Sequence, residues 1–267
     1  MKTCLIILII IVLTGPVSEA ERVRKDWSGY PITWHVCQDC SQPGTFRTIS
    51  EAVEAARPGD TINIWGEISC TGYGQIYEYN EELIIDKPLT LTCYNPEPML
   101  GLPILTHDGR SGTSGAVITI LPGGEGTVIK NLHIRGPKTG LVTDCDSVNP
   151  VDCMQNHAGI RIRADNCRIV DCTITRCMTG IYITGMGNTV QDCRIGERWK
   201  GFLDGDWYAV EEWRPDIMGR SIDHTGNGFG IVVIEPRRST EDSSRIPNNI
   251  QDNVFRGNRY TEIVEIK

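Results

Sequence analysis

Apolar positions recur with a fixed spacing in the middle of the chain. Residues 158–174 (AGIRIRADNCRIVDCTI) and residues 179–195 (TGIYITGMGNTVQDCRI) align at an offset of 21 residues without a gap. The matching pairs are Gly159 with Gly180, Ile160 with Ile181, Ile162 with Ile183, Ile169 with Val190, Cys172 with Cys193, and Ile174 with Ile195. A short period built from β-branched strands indicates a solenoid, in which each repeat stacks on the next.

The pattern predicts further strands on both sides of this doublet. They cover 61–65, 83–85, 89–92, 116–121 and 127–131 before it, and 228–236, 248–258 and 263–266 after it. Two insertions, at 137–157 and 196–228, interrupt the period. The last strand, 263–266, has no obvious cap and offers an edge to which another chain could pair.

A helix is predicted ahead of the first strand. Four apolar residues fall on one helical face, namely Ile49, Ala52, Val53 and Ala56. Thr48 and Glu51 have the spacing of a capping box, and Pro58-Gly59 ends the pattern. Such a helix would cover the open end of a solenoid, where apolar side chains are otherwise exposed.

The first 20 residues have the features of a secretory signal peptide. Lys2 precedes an apolar run at 4–13, and small residues occupy positions 18 and 20. The run is shorter than the roughly 20 apolar residues that a membrane span needs. We therefore expect export to an extracellular or periplasmic location with no membrane insertion of the mature chain, and an uncleaved anchor is the alternative.

Composition narrows the classes of partner. The net charge is −8, which disfavours binding to nucleic acid or to anionic membranes. Removing 20 residues from 267 leaves about 247, enough for one domain with a substantial core. Only 7% of the residues are aromatic, while 28 are glycine, and both numbers suit stacked strands joined by tight turns.

Three segments resemble the right-handed parallel β-helix proteins of the pectin-lyase-like superfamily. They are TISEAVEAARPGDTINIWGE at 48–67, YNEELIIDKPLTL at 79–91, and the GI-x-I repeats. The resemblance covers 45–267, after an irregular segment at 21–44. It implies an all-β fold, a right-handed single-stranded parallel β-helix with a short N-terminal capping helix. The superfamily includes lyases, glycoside hydrolases, methylesterases and non-enzymes, so the fold leaves the reaction open.

Aligning the repeats predicts which residues stack in columns. One outward column contains Thr119, Arg161, Tyr182 and Val232, and the next contains Leu121, Arg163, Thr184 and Ile234. A turn column contains Asn131, Cys172, Cys193 and Asn253. In the superfamily, this turn position often carries a ladder of asparagines, and substrate generally lies along an outward sheet face.

Ten of the eleven cysteines remain after the signal peptide, and an even number in an exported chain indicates disulfides. Cys172 and Cys193 are predicted to form a bridge between neighbouring repeats, because parallel strands are spaced within disulfide reach. Two buried free thiols are the alternative. Cys145 and Cys153 share one insertion and are expected to pair. Cys37-x-x-Cys40 is also compatible with a zinc or redox site.

The Arg161–Tyr182 column is the first candidate for chemistry. Arg161, His157 and Asp152 are the candidate catalytic residues, with Arg163 and Tyr182 binding a sugar chain through guanidinium–carboxylate pairing and stacking. Asp144 and Asp146 are candidate Ca²⁺ ligands, the only cofactor that the sequence suggests. The alternative is that the arginines are solvated surface residues and the aspartates form turns.

The second candidate is the insertion at 196–228. It holds Trp199, Trp207 and Trp213 among several carboxylates, a composition that suits a neutral-sugar cleft. The alternative is that the tryptophans pack a long loop against the helix wall.

The sequence thus predicts a secreted β-helix protein that binds a polysaccharide or glycoconjugate along an outward sheet face. Cleavage by a lyase- or hydrolase-like reaction is left open, because the Asp-Asp pair of the superfamily's hydrolases has no match here. The catalytic aspartate–phenylalanine segment of its methylesterases has no match either. The alternative function is a non-catalytic surface, adhesion or structural module.

Overall fold

A computed structural model describes residues 30–40, 44–68, 75–94, 102–107, 115–136, 157–196, 229–234, 246–255 and 261–266. The chain divides into two units, residues 1–30 and residues 31–267. Only Tyr30 of the first unit is described, so the fold is that of the second unit.

Three sheets of parallel strands make up the second unit. Sheet 1 contains β1 (Thr33–Val36), β2 (Thr45–Phe46), β3 (Thr61–Ile64), β8 (Thr90–Cys93), β11 (Val128–Lys130), β14 (Arg168–Val170), β17 (Thr189–Gln191) and β20 (Asn249–Gln251). Sheet 2 contains β6 (Glu78–Asn80), β9 (Ile104–Thr106), β12 (His133–Arg135), β15 (Thr173–Thr175), β18 (Arg194–Ile195) and β21 (Val254–Phe255). Sheet 3 contains β7 (Leu83–Ile85), β10 (Ile118–Ile120), β13 (Ala158–Ile162), β16 (Thr179–Ile183), β19 (Phe229–Ile234) and β22 (Thr261–Ile266).

From β3 onward the chain visits sheet 1, sheet 2 and sheet 3 in turn. The described strands complete this circuit six times, from β3–β6–β7 to β20–β21–β22. A short antiparallel pair, β4 (Glu67–Ile68) and β5 (Gln75–Ile76), lies outside it. The fold is a right-handed parallel β-helix, as the resemblance implies.

Columns of aliphatic side chains fill the interior of the coils. In sheet 3, Ile118 pairs with Ile160 and Ile160 with Ile181, and all three side chains are fully buried. Sheet 1 contributes Ile129, Ile169 and Val190 in the same way. Because parallel strands lie about 4.8 Å apart, equivalent side chains of successive coils contact one another directly.

Helix α1 (Ile49–Ala55) precedes β3 and packs on the first coils. Thr48 Oγ1 accepts a hydrogen bond from Glu51 N at 3.2 Å, which confirms the predicted N-cap. The carboxylate of Glu81 adds two more acceptors, for Ile49 N at 2.9 Å and Ser50 N at 2.8 Å. N–H groups in the first turn have no partner within the helix. Here two of them donate hydrogen bonds to Glu81 of the β-helix.

A ladder of side-chain acceptors lines the turn that leads into sheet 1. At each step, a side-chain oxygen accepts a hydrogen bond from the backbone N–H of the equivalent residue one coil earlier. Asn188 Oδ1 accepts from Cys167 N at 2.8 Å, and Asn248 Oδ1 accepts from Asn188 N at 2.9 Å. Asp60 and Thr127 make the same contact near the other end, with Ile32 N and Leu89 N. These bonds satisfy amides that the strand ladders leave unpaired.

The turn between sheets 1 and 2 contains a residue in the left-handed conformation. Asn131, Asp171, Asp192 and Asp252 all have φ between 51° and 55°, a region that asparagine and aspartate tolerate. Asn131 is therefore equivalent to Asp171, and the predicted column that placed it with Cys172 was wrong by one residue. Since Lys130 pairs with Val170 and His133 with Thr173, Leu132 occupies that position.

At the position directly after this left-handed residue, Cys172 and Cys193 stand where a later coil has Asn253. Cys193 Sγ donates to Ile169 O at 3.6 Å, as Asn253 Nδ2 donates to Val190 O at 2.9 Å one coil later. Cys172 and Cys193 are both free thiols, so the predicted bridge between them is not formed. Burial, followed by a hydrogen bond between the Cys172 and Cys193 thiols, raises the pKa of Cys172 and keeps it protonated.

A disulfide does link Cys37 to Cys40, a pair that the sequence left between disulfide, zinc and redox chemistry. Cys93, Cys167 and Cys177 are buried. The predicted Cys145–Cys153 pair lies outside the described residues.

The acceptor ladder predicts the effect of Asn188→Ala. This change leaves the buried Cys167 N–H without an acceptor and should lower the free energy of unfolding by about 1–3 kcal/mol. Urea denaturation measures it. Lys130→Ala, at an exposed position of sheet 1, is the control and should change the free energy of unfolding by less than about 0.5 kcal/mol. Equal stabilities for the two variants would contradict the role of the ladder.

Candidate functional site

The predicted outward column of sheet 3 exists in the predicted register. Arg161 pairs with Thr119 on one side and with Tyr182 on the other, and Tyr182 pairs with Val232. The column continues to Ile84 at one end and to Val264 at the other. The GI-x-I pattern places these side chains outward, because the flanking isoleucines point into the core.

The outward column is buried at its four central positions. Arg161 is 4% exposed and Tyr182 is 3% exposed, although neither points into the coil. Thr119 and Val232 are buried as well. Arg161 is therefore not a solvated surface residue, and only Arg163 of the two arginines is exposed.

The guanidinium of Arg161 has few partners for a buried cation. Nη2 donates to Thr119 Oγ1 at 3.0 Å, and no described residue accepts a hydrogen bond from the buried Nε. Within the part of the chain that the structure describes, no carboxylate lies within salt-bridge distance of it. Burial and then the charge of Arg163 lower the pKa of Arg161, and Glu82 opposes this. The site is therefore short of negative charge.

Tyr182 packs into an apolar cluster instead of presenting its ring to solvent. The cluster consists of Tyr182, Ala116, Ala158 and Val232, with Ile234 and Val264 at its border. The outward face of sheet 3 thus has a polar part in the earlier coils, around Arg161, and an apolar part in the later ones. In this arrangement Tyr182 is not an open stacking surface for a sugar.

His157 precedes β13 and is half-buried. Its carbonyl accepts from Met178 N at 3.0 Å, and burial lowers the pKa of its imidazole. The ring is therefore neutral at pH 7, the form that a general base needs. Four residues of extended strand separate His157 from Arg161, about 13 Å between their Cα atoms.

Several predicted site residues lie outside the described residues. They are Asp144, Asp146, Asp152, Trp199, Trp207 and Trp213. Among the residues that are described, no three His, Cys, Asp or Glu side chains are grouped as metal ligands. No described helix is long and apolar enough to cross a membrane.

The outward face of sheet 2 carries a buried polar cluster that the sequence analysis missed. His133 and Arg135 flank the inward-facing Ile134 on β12, and Thr173 and Thr175 lie beside them on β15. The His-x-Arg alternation around a buried isoleucine was the signal that could have identified it. Arg135 forms an ion pair with Glu78 at 2.5 Å, and its buried Nε has no hydrogen-bond partner.

His133 is held in its neutral form by this environment. Its Nε2 lies 3.0 Å from Thr175 Oγ1. Burial, followed by the charge of Arg135, lowers the pKa of His133 to about 3, while Glu78 opposes the shift. Sheet 2 therefore has a charged pair and a neutral imidazole packed together on a face that is closed to solvent.

No protein-family model matches the sequence, and no curated protein matches it. A solved structure of a pectin methylesterase mutant in complex with a hexasaccharide is similar, with 16% identity and a TM-score of 0.45. The match covers 86% of this chain and 65% of that one, so the chain spans less than two thirds of the enzyme's length. The likeness is one of fold.

The neutral state of His133 predicts a pH dependence of stability. Its folded pKa lies below the ordinary value of 6.5, so the unfolded chain binds the proton first. Stability is then complete above about pH 6.5 and falls as the pH drops towards 3, by about 2 kcal/mol between pH 6.5 and 5.

His133→Gln should remove this slope, as measured by urea denaturation from pH 8 to 5. The difference in unfolding free energy between the two proteins at pH 8 gives the packing cost of the substitution. His157 is present in both proteins, so its titration does not distinguish them. Parallel curves for the variant and the original protein would contradict the assignment.

Proposed function

We propose that the protein is a secreted polysaccharide-binding β-helix that binds an acidic glycan through Arg161 and Arg163. One observation carries the proposal, namely the buried Arg161 guanidinium, which has one side-chain partner and no paired carboxylate among the described residues. A buried cation is costly unless it is paired. A uronate carboxylate is the kind of group that would pair with it.

The chemistry of the two side chains supports this ligand class. A guanidinium presents N–H donors in a planar fork that matches a carboxylate in two parallel hydrogen bonds. Arg163 lies two residues further along the same face, about 7 Å from Arg161. Its side chain is exposed, so it is placed to meet a chain that approaches from solvent.

The net charge of −8 makes these two arginines important for an acidic ligand. The protein as a whole repels polyanions, and attraction must come from local positive groups. Binding through Arg163, at the exposed edge, should weaken with added salt, because exposed charges are screened. Binding through Arg161 should be less sensitive to salt, since buried pairs are screened less.

Secretion is part of the proposal. The basic residue, apolar run and small residues at 1–20 support it, and so does the Cys37–Cys40 disulfide, since such bonds persist in oxidising compartments. A glycan-binding protein of this kind would meet its ligand outside the cell. His157, neutral at pH 7, is the described candidate for a base if the bound chain is also cleaved.

Arg161→Gln tests the proposal, with hexagalacturonate and hexamannuronate as probes in isothermal titration calorimetry. The variant should bind at least about tenfold more weakly, because a charged hydrogen bond contributes about 1.5–3 kcal/mol. Arg168→Gln makes the same charge change at an exposed position of sheet 1 and should bind within about twofold of the original protein.

Equal affinity of the Arg161 variant and the original protein for both probes would contradict the proposal. Absorbance of unsaturated uronates in the same samples reports cleavage by β-elimination, and its loss in His157→Ala would assign a base to that reaction.

A further inference from the structure

Three aromatic rings lie together on the outward face of sheet 1, close to the capped end of the β-helix. Trp65 follows β3 and Tyr94 follows β8, so the two residues are equivalent in successive coils. Their rings stack at 4.2 Å between centroids with an interplanar angle of 9°. The imidazole of His35 meets the Tyr94 ring edge-on at 5.4 Å.

The Tyr94 end of this stack is open to solvent. Trp65 covers one face of the Tyr94 ring, yet 45% of Tyr94 remains exposed. Trp65 and His35 are only partly buried. Tyr94 is not an isolated surface aromatic, because it extends an ordered stack. A further flat ring can therefore continue the stack beyond Tyr94.

Two buried ring nitrogens beside the stack have no hydrogen-bond partner among the described residues. They are Trp65 Nε1 and His35 Nδ1. Buried polar atoms in proteins are nearly always paired, because an unpaired one costs the energy of its lost hydration. The unpaired nitrogens indicate that the cluster has a binding role.

A polar column borders the aromatic one. His35 pairs in register with Asn63, and Asn63 with Thr92, on the strands β1, β3 and β8. His35 and Asn63 offer an imidazole and an amide at partly buried positions. The Thr92 hydroxyl is buried and donates to Cys93 O at 3.5 Å, and none of the three side chains carries a fixed charge. The face thus combines stacked rings with uncharged hydrogen-bonding groups, the combination that typifies small-ligand sites.

We propose that this face, defined by His35, Asn63, Trp65, Thr92 and Tyr94, binds a neutral pyranose unit of a glycan. The apolar C–H face of the sugar ring stacks on Tyr94. Its hydroxyl groups supply partners for the ring nitrogens and the polar column. The absence of arginine or lysine from these five positions favours a neutral sugar over a uronate. This site is independent of the one proposed at Arg161, which lies on sheet 3.

Tyr94→Ala tests the inference, with cellohexaose, mannohexaose and xylohexaose as separate probes in isothermal titration calorimetry. We expect one of the three to bind the original protein and to bind Tyr94→Ala about five- to tenfold more weakly, the size of an aromatic stacking contribution. Tyr94→Phe, which keeps the ring, should bind within about twofold. Tyr94→Leu, which keeps the apolar volume, should behave as Tyr94→Ala does and replaces it if that variant does not fold.

Arg161→Gln separates the two proposed sites, because it should leave the affinity for the neutral hexasaccharide unchanged. Absence of binding to all three neutral probes would overturn the inference. Equal affinity of Tyr94→Leu and the original protein would overturn it as well. Loss of hexagalacturonate binding in the Tyr94 variants would also contradict it, since Tyr94 would then belong to the acidic-glycan site.

Discussion

The structure depends on the register in which equivalent residues of successive coils pair. Ile118, Ile160 and Ile181 form one continuous buried column because each strand of sheet 3 is aligned with the next at the same residue. A slip of one residue would turn Ile160 outward and Arg161 into the core. The large cost of burying a charge in an aliphatic column therefore fixes both the interior and the outward face.

The turns hold this register with side chains of different chemistry. Asn188 and Asn248 use amide oxygens, Thr127 uses a hydroxyl and Asp60 a carboxylate to accept equivalent backbone N–H groups. The requirement is an acceptor at a fixed place, which several residue types can meet. Cys193 supplies a donor in the neighbouring column, which explains how a thiol replaces an asparagine there.

The sequence predicted the coils well because stacking repeats a short pattern of apolar residues. The 21-residue doublet identified the Arg161–Tyr182 pair, and the capping signal at Thr48 located helix α1. The turn column was wrong by one residue at Asn131, because asparagine suits the left-handed turn position that it occupies as well as the neighbouring position, where Asn253 lies. The Cys172–Cys193 bridge was also wrong, because strand spacing permits a disulfide without requiring one.

The candidate sites were harder to predict than the fold. Periodicity shows that Arg161 and Tyr182 point outward, but whether an outward face is covered depends on the rest of the chain, which follows no period. The same limit hid the buried His133 and Arg135 on sheet 2 and the stack of Trp65 on Tyr94. Each of these groups joins residues from different coils, and the spacing between coils varies outside the doublet.

A crystal structure of the protein with hexagalacturonate tests most directly the claim that the unpaired guanidinium of Arg161 serves an anionic ligand. The account predicts a uronate carboxylate within hydrogen-bond distance, about 3 Å, of the Arg161 guanidinium. An Arg161 paired with a carboxylate of its own chain, with the hexagalacturonate bound elsewhere, would contradict it.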